Sequence, residues 1–471
     1  AQKVVVLGGG IAGLTAAYEL SVKRRREGRK LDVSLLESSS RLGGKIVTEN
    51  RDGVVIEGGP DSFLTLKPQV LELVKELGLT GELVRTNPSQ PPIYMLSGGK
   101  LKALPDGTSL MPTKALPLFF SELLSWKAKA RFLLEPWVPC EDGDQDESIA
   151  EFVRRRFGAE ALDKIAAPLL SGIFAGDAEK LSLASTFPQL RELERRGGVL
   201  RGLARRAPNP DDSQSAFMTL RGGLGRLVDA LVATLPAGTA RTGVSVQSLR
   251  RRGGQWQIET TAGPMTADAV ISALPANVLA GLVADLDFEL SCVLKEIPFV
   301  STATVSLVYE REGFPSPLDG FGFLVPAAEG KLTAGATYTS TKFPDRVPPS
   351  KVMIRSFIGG AGREAAVDAD DAQIARTARH ELKDILALGE RHPSLSRVYR
   401  WPKANAQYTI GHALRLRRID SCLRAHPGLV LAGASYRGVG IPDCIRSGRE
   451  AAAKAARTGP AAAATAGAEA D

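Results

Sequence analysis

The sequence is poor in the residues that build metal centres and disulfide frameworks. Its 471 residues include only 4 cysteines and 4 histidines. The cysteines lie far apart without a CxxC spacing, and no histidine has a convincing ligand partner at helical spacing. These absences argue against a zinc site and against a disulfide scaffold, and they indicate a reducing compartment. We therefore predict no metal.

Long apolar runs are also lacking. No run of about eighteen apolar residues occurs, and the first motif begins almost at the N-terminus, so we expect neither a membrane span nor a signal peptide. The net charge of +8 is spread along the chain, without the interleaved basic and aromatic residues of a nucleic-acid-binding surface. We predict a cytoplasmic protein of two or three lobes that binds no nucleic acid.

A glycine-rich turn near the N-terminus carries the clearest functional signal. The apolar residues 4–7 lead into Gly8, Gly10 and Gly13, and a helical pattern continues from residue 11 to about residue 25. In this arrangement the first glycine permits a sharp turn, the second leaves room for a pyrophosphate, and the third lets the helix pack on the strand. The motif predicts dinucleotide binding, although a purely steric glycine turn has the same spacing.

The residues after this turn narrow the choice of dinucleotide. A second apolar run ends in Glu37, whose carboxylate suits a ribose 2′-hydroxyl and repels a 2′-phosphate, so FAD or NAD is favoured over NADP. Arg41, Gly43 and Gly44 then resemble the R-x-G-G element of the amine-oxidase-like flavoproteins, in which an arginine lies close to a pyrophosphate. We therefore predict FAD.

A second pattern of strand, glycine turn and helix lies at the other end of the chain. The predicted strand covers residues 429–432, Gly433, Gly438 and Gly440 follow, and the predicted helix begins at residue 445. The N-terminus of this helix could hold negative charge that develops on a flavin pyrimidine ring. Both ends of the chain would then contact one flavin.

The chain between the two turns divides into further parts. We predict an α/β fold with a Rossmann-type (glutathione-reductase-like) FAD-binding domain, a mixed-sheet substrate domain and a helical insert. The FAD-binding domain would comprise residues 1–85, 216–285 and 397–457, and the substrate domain residues 86–104 and 286–396. Residues 105–215 would form the insert and residues 458–471 a disordered tail.

An amphipathic stretch in the insert, residues 116–137, has three possible roles. It carries Trp126 and Trp137 with basic residues between them. Such a stretch lies on a membrane surface, lines the mouth of an apolar channel, or packs inside a helical lobe. Peripheral attachment to the inner face of a membrane therefore stays an alternative to a purely cytoplasmic location.

Several short stretches together resemble the oxygen-dependent protoporphyrinogen oxidase family, which includes the coproporphyrinogen oxidases of haem synthesis. They are residues 41–45 (RLGGK), 59–63 (GPDSF), 168–177 (PLLSGIFAGD), 186–188 (TFP) and 438–444 (GVGIPDC). The resemblance implies a six-electron, FAD- and O2-dependent oxidation of coproporphyrinogen III, of protoporphyrinogen IX, or of both, to the porphyrin, with release of hydrogen peroxide. The partners would be a tetrapyrrole and O2, and the insert would be the membrane-facing lobe.

The resemblance also implies the residues around a non-covalent FAD and a substrate. The FAD-binding residues would be Gly8, Gly9, Gly10, Ile11, Ala12, Gly13, Glu37, Ser38, Arg41, Gly43, Gly44, Lys45, Gly58, Gly59, Pro60, Asp61, Val246, Trp401, Gly433, Val439, Gly440 and Ile441. The substrate-binding candidates are Lys67, Tyr94, Phe321, Phe323 and Leu324. A solvated position is the alternative for Lys67, and core packing is the alternative for the apolar wall of Phe321, Phe323 and Leu324. No catalytic residue is assigned.

One departure from the family pattern concerns the substrate propionates. Many members carry an arginine before the aromatic residue of the hairpin, whereas this chain has Ile93 before Tyr94. Propionate recognition would then come from Lys67, Lys100 or Lys102. The pattern is closer to the coproporphyrinogen-using branch.

Other functions are compatible with the sequence. The same fold could carry an amine oxidase, with Tyr408 and Tyr436 as an aromatic pair before the flavin, or a carotenoid desaturase. A non-catalytic FAD-binding scaffold at a membrane surface is an alternative from another class. Lys342 would be a solvated loop lysine or a lysine near the flavin, and the protein would be a monomer or a homodimer.

Overall fold

The computed structural model describes residues 2–23, 28, 31–89, 91–105, 120–140, 145–204, 216–315 and 317–457. The predicted disordered tail, and those parts of the insert within 106–119, 141–144 and 205–215, lie outside the described residues. The strands are, in chain order, β1 Gln2–Leu7, β2 Leu31–Leu36, β3 Thr48–Arg51, β4 Val54–Glu57, β5 Phe63–Leu64, β6 Leu83–Arg85, β7 Ile93–Ser97, β8 Lys100–Ala103, β9 Phe217–Leu220, β10 Ala240–Arg241, β11 Val246–Arg252, β12 Gln255–Thr260, β13 Met265–Ala267, β14 Ala269–Ser272, β15 Phe299–Glu310, β16 Gly322–Leu324, β17 Thr333–Tyr338, β18 Lys351–Gly359, β19 Leu395–Ala406 and β20 Leu429–Leu431.

The helices lie between or after these strands, and among the described residues seven of them follow one another in the predicted insert. They are α1 Ile11–Tyr18, α2 Gln69–Glu76, α3 Trp126–Leu133, α4 Ile149–Phe157, α5 Ala159–Ala161, α6 Ala167–Phe174, α7 Leu183–Thr186, α8 Pro188–Arg195, α9 Val199–Ala204, α10 Gly225–Thr234, α11 Ala276–Leu282, α12 Phe288–Lys295, α13 Thr339–Lys342, α14 Asp371–Leu386, α15 His412–Leu423 and α16 Ile441–Ala455. Helices α3 to α9 belong to the predicted insert. In the described part of the chain, no helix has both the length and the apolar character that crossing a bilayer requires.

A parallel sheet forms the centre of the nucleotide-binding part. It has five strands in the order β10-β2-β1-β14-β20. Successive residues of β1 enter different cores: Val4 and Val6 pack with α1, α2, α10 and α16, whereas Val5 and Leu7 pack with β12, α11 and α12. A strand buried on both faces is continuously apolar, which explains the sequence of β1. The carboxyl ends of β1, β2 and β20 meet at one edge of this sheet.

A second sheet lies across from this edge. It has seven strands in the order β19-β15-β18-β17-β16-β7-β8, antiparallel except for the β16–β7 pair. Helix α14 covers its outer face through Ile374, Ala378 and Leu382. Its inner face reaches the nucleotide-binding part, where Thr304 and Trp401 donate hydrogen bonds to the Gly58 carbonyl. The α/β fold class with a mixed-sheet lobe is confirmed.

Two of the predicted domain boundaries need correction. Strand β19 pairs with β15 from Leu395 to Ala406, so a boundary at residue 397 would cut through a strand of the second sheet. Helix α12 packs its apolar side chains into the core of the nucleotide-binding part, so it does not belong to the substrate lobe. Pairing and packing between distant segments decide both boundaries. We place them after residue 406 and after residue 295.

The insert has a core of its own, around a buried ion cluster. Arg156 donates to Glu135 over 2.6 Å and to Glu194 over 2.9 Å, and all three side chains are almost fully buried. The Glu135 carboxylate also accepts the backbone N–H groups of Val199 and Leu200, at 2.9 and 3.0 Å. Because these buried charges are paired and hydrogen-bonded, they fix the start of α9 against the rest of the lobe.

Candidate functional site

The first glycine turn begins where β1 ends. Gly8 has φ of +99° and donates its N–H to the Leu36 carbonyl over 2.8 Å. A Cβ at Gly13 would lie 1.9 Å from the Gly8 oxygen, so only glycine permits this approach of helix to turn. The sharp turn and the close packing of α1 are therefore both required by backbone geometry.

The middle glycine of the motif faces open space. A Cβ at Gly10 would meet no protein atom nearer than the Gly44 Cα, at 4.0 Å. Gly10 is the N-cap of α1, and no side chain caps this helix end among the described residues. A helix N-terminus with free N–H donors and unfilled space beside it fits a pyrophosphate group.

The predicted acidic residue lies directly beneath the turn. Glu37 accepts the Gly9 N–H at Oε2 over 2.7 Å and the Ser39 N–H at Oε1 over 2.8 Å. The Glu37 carbonyl accepts the Val244 N–H over 2.9 Å, which brings the start of β11 and Val246 beside it. Ser38 is exposed next to this carboxylate. The arrangement suits an adenosine whose ribose contacts Glu37.

The loop after Glu37 packs on the glycine turn. Gly43 donates to the Gly9 carbonyl over 2.8 Å, and the Arg41 guanidinium donates to the Gly44 carbonyl over 2.5 Å. The Arg41 side chain therefore stiffens its own loop. The Lys45 ammonium donates to the Ala404 carbonyl over 2.8 Å, and burial lowers its pKa although solvent still reaches the side chain.

The segment predicted to face the flavin ring is held from several sides. Trp401 and Thr304 donate to the Gly58 carbonyl over 2.9 and 2.8 Å, and Arg355 donates to the Gly59 carbonyl. A Cβ at Gly59 would lie 1.7 Å from the Lys45 oxygen, so this backbone contacts the loop described above. The segment is thus fixed within reach of the α1 N-terminus.

The expectation that Lys342 is a solvated loop lysine is wrong, because Lys342 pairs with Asp61, which follows Pro60 in the same segment. The Lys342 ammonium lies 3.1 Å from both Asp61 oxygens and is mostly buried. Burial alone would raise the pKa of the Asp61 carboxyl, but Lys342 and Arg355 hold it well below its usual range. The sequence did not indicate this ion pair, because the two residues are 281 positions apart.

The second glycine turn meets the first at the same sheet edge. Helix α16 begins at Ile441, not at residue 445 as predicted, and Gly440 is its N-cap without a capping side chain. Ile441 packs in one cluster with Ile11 and Ala12. Gly433, with φ of +103°, ends β20, and Val439 packs on the other side of the sheet. Two helix N-termini therefore face the region between the lobes.

Lys67 lies beside this second helix. Its ammonium is 2.7 and 2.8 Å from the two oxygens of Asp443, a buried residue in the first turn of α16. Arg446 donates to the same carboxylate over 3.1 Å. Lys67 is therefore not simply solvated, and 43% of its side chain stays accessible to a ligand.

The predicted apolar wall of the substrate site is wrong for Phe323. Phe323 packs in the core under α14, with its ring 6.0 Å from that of Tyr338, and Tyr94, its partner on β7, lies on the same face. Leu324 lies on the opposite face and contacts the insert at Gly172. Consecutive strand residues alternate between faces, so one wall cannot contain both.

The structure gives Tyr94 a side-chain role on the outer face and gives Phe321 backbone contacts. Tyr94 packs on the core under α14 and donates its hydroxyl to Asp319 over 3.0 Å, and Phe321 bonds to neighbouring strands through its backbone. The strand register that places Leu324 on the inner face of the sheet also places Gly335 and Phe357 on that face. The sequence analysis did not predict these two residues. The alternation of apolar residues in the predicted strands was the only available signal for them.

Tyr408 and Tyr436 do not frame a ligand as an amine oxidase would require. Tyr408 donates to the Ala434 carbonyl and accepts the Gly438 N–H, both at 2.8 Å, and it stacks on His412 at 4.1 Å between ring centres. Tyr436 is buried in a hydrophobic core. Both tyrosines therefore brace the second glycine turn from behind.

Comparisons with known proteins agree with this geometry. A family model described as flavin containing amine oxidoreductase matches residues 11–456. Coproporphyrinogen III oxidase from Bacillus subtilis (strain 168) is 35% identical over 464 residues, covering 96% of this chain and 98% of that protein. Protoporphyrinogen oxidase from Homo sapiens is 35% identical over 493 residues, covering 98% and 99%. A solved structure from Exiguobacterium sp. 255-15 has a TM-score of 0.86 at 29% identity, covering 96% of this chain and 98% of that one.

The fold and the site define a dinucleotide-binding flavoprotein with a second, mixed-sheet lobe. The chain belongs to the flavin containing amine oxidoreductase family. The predicted oxidoreductase class, the flavin cofactor and the resemblance to the porphyrinogen oxidases are confirmed. A flavin held in a dinucleotide-binding turn is FAD, so FAD is the cofactor.

Proposed function

We propose that this protein is a porphyrinogen oxidase of haem biosynthesis. It would oxidise coproporphyrinogen III, protoporphyrinogen IX or both to the porphyrin, with O2 as the electron acceptor and hydrogen peroxide as the product. The observation that carries this proposal is the identity of 35% to coproporphyrinogen III oxidase from Bacillus subtilis, because it extends over 96% of the chain and so includes the substrate lobe and the insert. Bound FAD would supply the hydride acceptor and the reaction with O2.

The chain's own residues would bind and orient the reactants. The uncapped N-termini of α1 and α16 would bind the pyrophosphate and the pyrimidine edge of the flavin, and Glu37 would accept from the ribose. The inner sheet face around Leu324 would exclude water from the reacting carbon. We assign no base, because the gain of aromaticity would drive the reaction and a bound FAD would supply the electron acceptor.

Cationic side chains near the site would recognise the substrate carboxylates. Lys67 projects from the loop before α2 and leaves part of its ammonium-bearing chain accessible. Lys102 is paired with Met95 across β7 and β8 and so lies on the inner face with Leu324. Lys100 follows the same alternation. We assign these lysines to the propionates, in place of the family arginine that Ile93 replaces.

The test is a comparison of substrates with the purified flavoprotein. We expect peroxide release and porphyrin fluorescence from coproporphyrinogen III and protoporphyrinogen IX, with the larger kcat/KM on coproporphyrinogen III, and no turnover of primary amines. Turnover of amines alone would refute the proposal. A non-catalytic scaffold is distinguished anaerobically, because its flavin would not be bleached by a reduced tetrapyrrole.

We also propose that the insert binds the surface of a membrane. In and just after α3, Trp126, Leu133, Leu134 and Trp137 are between 51% and 69% exposed, and their spacing places them on one side of the helix. Lys129 lies over the Trp126 ring at 4.5 Å and Arg201 over the Trp137 ring at 5.3 Å. Lys129 is almost fully buried, whereas Arg201 is exposed. An apolar face with an exposed arginine beside it suits the interface of an anionic bilayer.

This contact is tested by flotation with vesicles of phosphatidylcholine and phosphatidylglycerol. The double variant Trp126→Glu/Trp137→Glu should lose most of the binding and keep its flavin. Phe288→Glu, at a residue 75% exposed at the start of α12, is the matched control and should bind as the parent does. Equal binding of all three proteins would exclude the insert as the membrane contact.

A further inference from the structure

A buried group of charged residues lies behind the segment that contains Gly58 and Gly59. Its members, which we call the Asp61 cluster, are Glu57, Asp61, Lys342, Arg346 and Arg355. Lys342 Nζ is 3.1 Å from Asp61 Oδ1, Arg355 Nη1 is 3.8 Å from Asp61 Oδ2, and Arg346 Nη2 is 3.4 Å from Glu57 Oε1. No side chain in the cluster is more than 16% exposed.

The Asp61 cluster carries an excess of positive charge. Three cationic side chains face two buried carboxylates. The Asp345 carboxylate, which also attracts Arg346, is exposed to solvent, and the neighbouring Arg397 is already paired with Glu49 at 2.9 Å. Burial raises the pKa of the Glu57 carboxyl, so any protonation of Glu57 only increases the excess. A charge buried in this way is screened by water far less than a surface charge.

The position of the cluster connects it to the cofactor cradle. Arg355 donates to the Gly59 carbonyl, Gly59 packs on the Lys45 carbonyl, and Gly44 lies next to Gly10 at the N-terminus of α1. The cluster is therefore one backbone layer behind the region that would contain the flavin ring. The charges of Lys342, Arg346 and Arg355 have no part in the binding roles given above.

We propose that the Asp61 cluster raises the reduction potential of the bound flavin by presenting a net positive charge to its ring. Reduction places negative charge on the pyrimidine side of the ring, and a nearby buried cation stabilises that reduced form more than the neutral oxidised form. The inference rests on the proposed flavin site. Lys342 and Asp61 act on the flavin through space and are not catalytic residues.

The directions in which two substitutions shift the flavin midpoint potential distinguish an effect of charge from a purely structural role. Lys342→Met removes a cation and should lower the flavin midpoint potential. Asp61→Asn removes an anion at nearly constant shape and should raise it. Both variants break the same ion pair, so loss of a structural contact would move the potential in one direction or leave it unchanged.

The experiment measures midpoint potentials of the purified holoproteins by dye equilibration under anaerobic conditions. We expect opposite shifts for the two single variants and a value close to the parent for Asp61→Asn/Lys342→Met. Lys331→Met should cause no shift, because the Lys331 ammonium pairs with the half-exposed Asp384 of α14 and not with the cluster. Shifts of the same sign, or none, would overturn the inference.

Two further outcomes also decide the question. If Asp61→Asn does not retain flavin, the midpoint potentials of Lys342→Met and Lys342→Arg test the proposal instead. Only Lys342→Arg, which conserves the charge, should keep the parent potential. Equal potentials for the two variants would reject the proposal. If the parent protein binds no flavin at all, the proposed function fails. If it binds flavin but its midpoint potential does not change in the variants, only the inference about the Asp61 cluster fails.

Discussion

The backbone N–H of Gly9 donates to Oε2 of Glu37 over 2.7 Å, so the acidic residue supports the glycine turn from below. Its other oxygen accepts the Ser39 N–H over 2.8 Å. One carboxylate thus holds the turn and the following loop together. Lone pairs that remain on the two oxygens are available to a ribose hydroxyl. The Glu37 side chain therefore both stabilises the glycine turn and is available to bind the ribose.

Glu37→Gln is expected to weaken both functions of this residue. The amide keeps one acceptor oxygen and directs an NH2 group at a backbone N–H, which leaves a donor unpaired at a cost of about 1–3 kcal/mol. We expect FAD affinity to fall by roughly tenfold or more and the thermal midpoint to decrease. Fluorescence titration of the apoprotein with FAD measures the first effect. Ser40→Ala, at an exposed residue of the same loop outside the predicted FAD-binding set, is the control and should bind like the parent.

The glycines of the first turn should respond to substitution in two different ways. At Gly10 an added Cβ would meet only the Gly44 Cα, at 4.0 Å, so Gly10→Val should fold and yet lose FAD binding, because the valine side chain would fill the pyrophosphate space. At Gly13 a Cβ would lie 1.9 Å from the Gly8 carbonyl oxygen, so Gly13→Ala should fail to fold stably.

Circular dichroism and bound-flavin absorbance separate these two outcomes. Gly10→Val should give a folded spectrum without flavin, and Gly13→Ala should give low soluble yield or an early thermal transition. Stoichiometric FAD in purified Gly10→Val would refute the assignment of the cradle. A stable, flavin-loaded Gly13→Ala would show that α1 can move away from β1.

Sequence patterns predicted the parts of the site that are local. Gly8 and Glu37 directly follow strands whose apolar runs are visible in the sequence, and the partners of the first turn, Leu36, Glu37 and Gly43, all lie within the first 43 residues. The predicted start of α16 is wrong because Pro442 belongs to the first turn of the helix and not to the loop before it. Proline in the first turn of a helix is favourable, since its missing N–H would have no acceptor there.

Long-range pairing accounts for what the sequence could not indicate. Lys342 becomes a buried partner of Asp61 only after α13 is placed beside the Gly59 segment. Phe323 and Leu324 are both apolar, which predicts one wall, but the face of each depends on which strands flank β16. Strand order is a property of the whole sheet, and no local pattern encodes it.

The free energy of unfolding should depend on pH through one buried imidazole, that of His412. Burial lowers the pKa of His412 from 6.5 to about 4, its Nε2 lies 2.8 Å from the Tyr436 carbonyl oxygen, and its ring stacks on Tyr408. Between these pH values the unfolded chain binds a proton that the folded chain does not. The contribution of His412 to stability is therefore complete above pH 6.5, decreases as the pH falls, and levels off below about pH 4.

This linkage predicts a loss of about 3 kcal/mol from His412 across that window, at ~1.4 kcal/mol per pKa unit. Urea unfolding of the parent and of His412→Gln at pH 7 and pH 4.5 measures it, because the carboxylates that titrate in the same range are common to both proteins. The parent should lose more stability than His412→Gln. His380→Gln, at a histidine with 75% of its side chain exposed, should behave like the parent. If His412→Gln and the parent lose equal stability, His412 does not stay neutral in the folded protein.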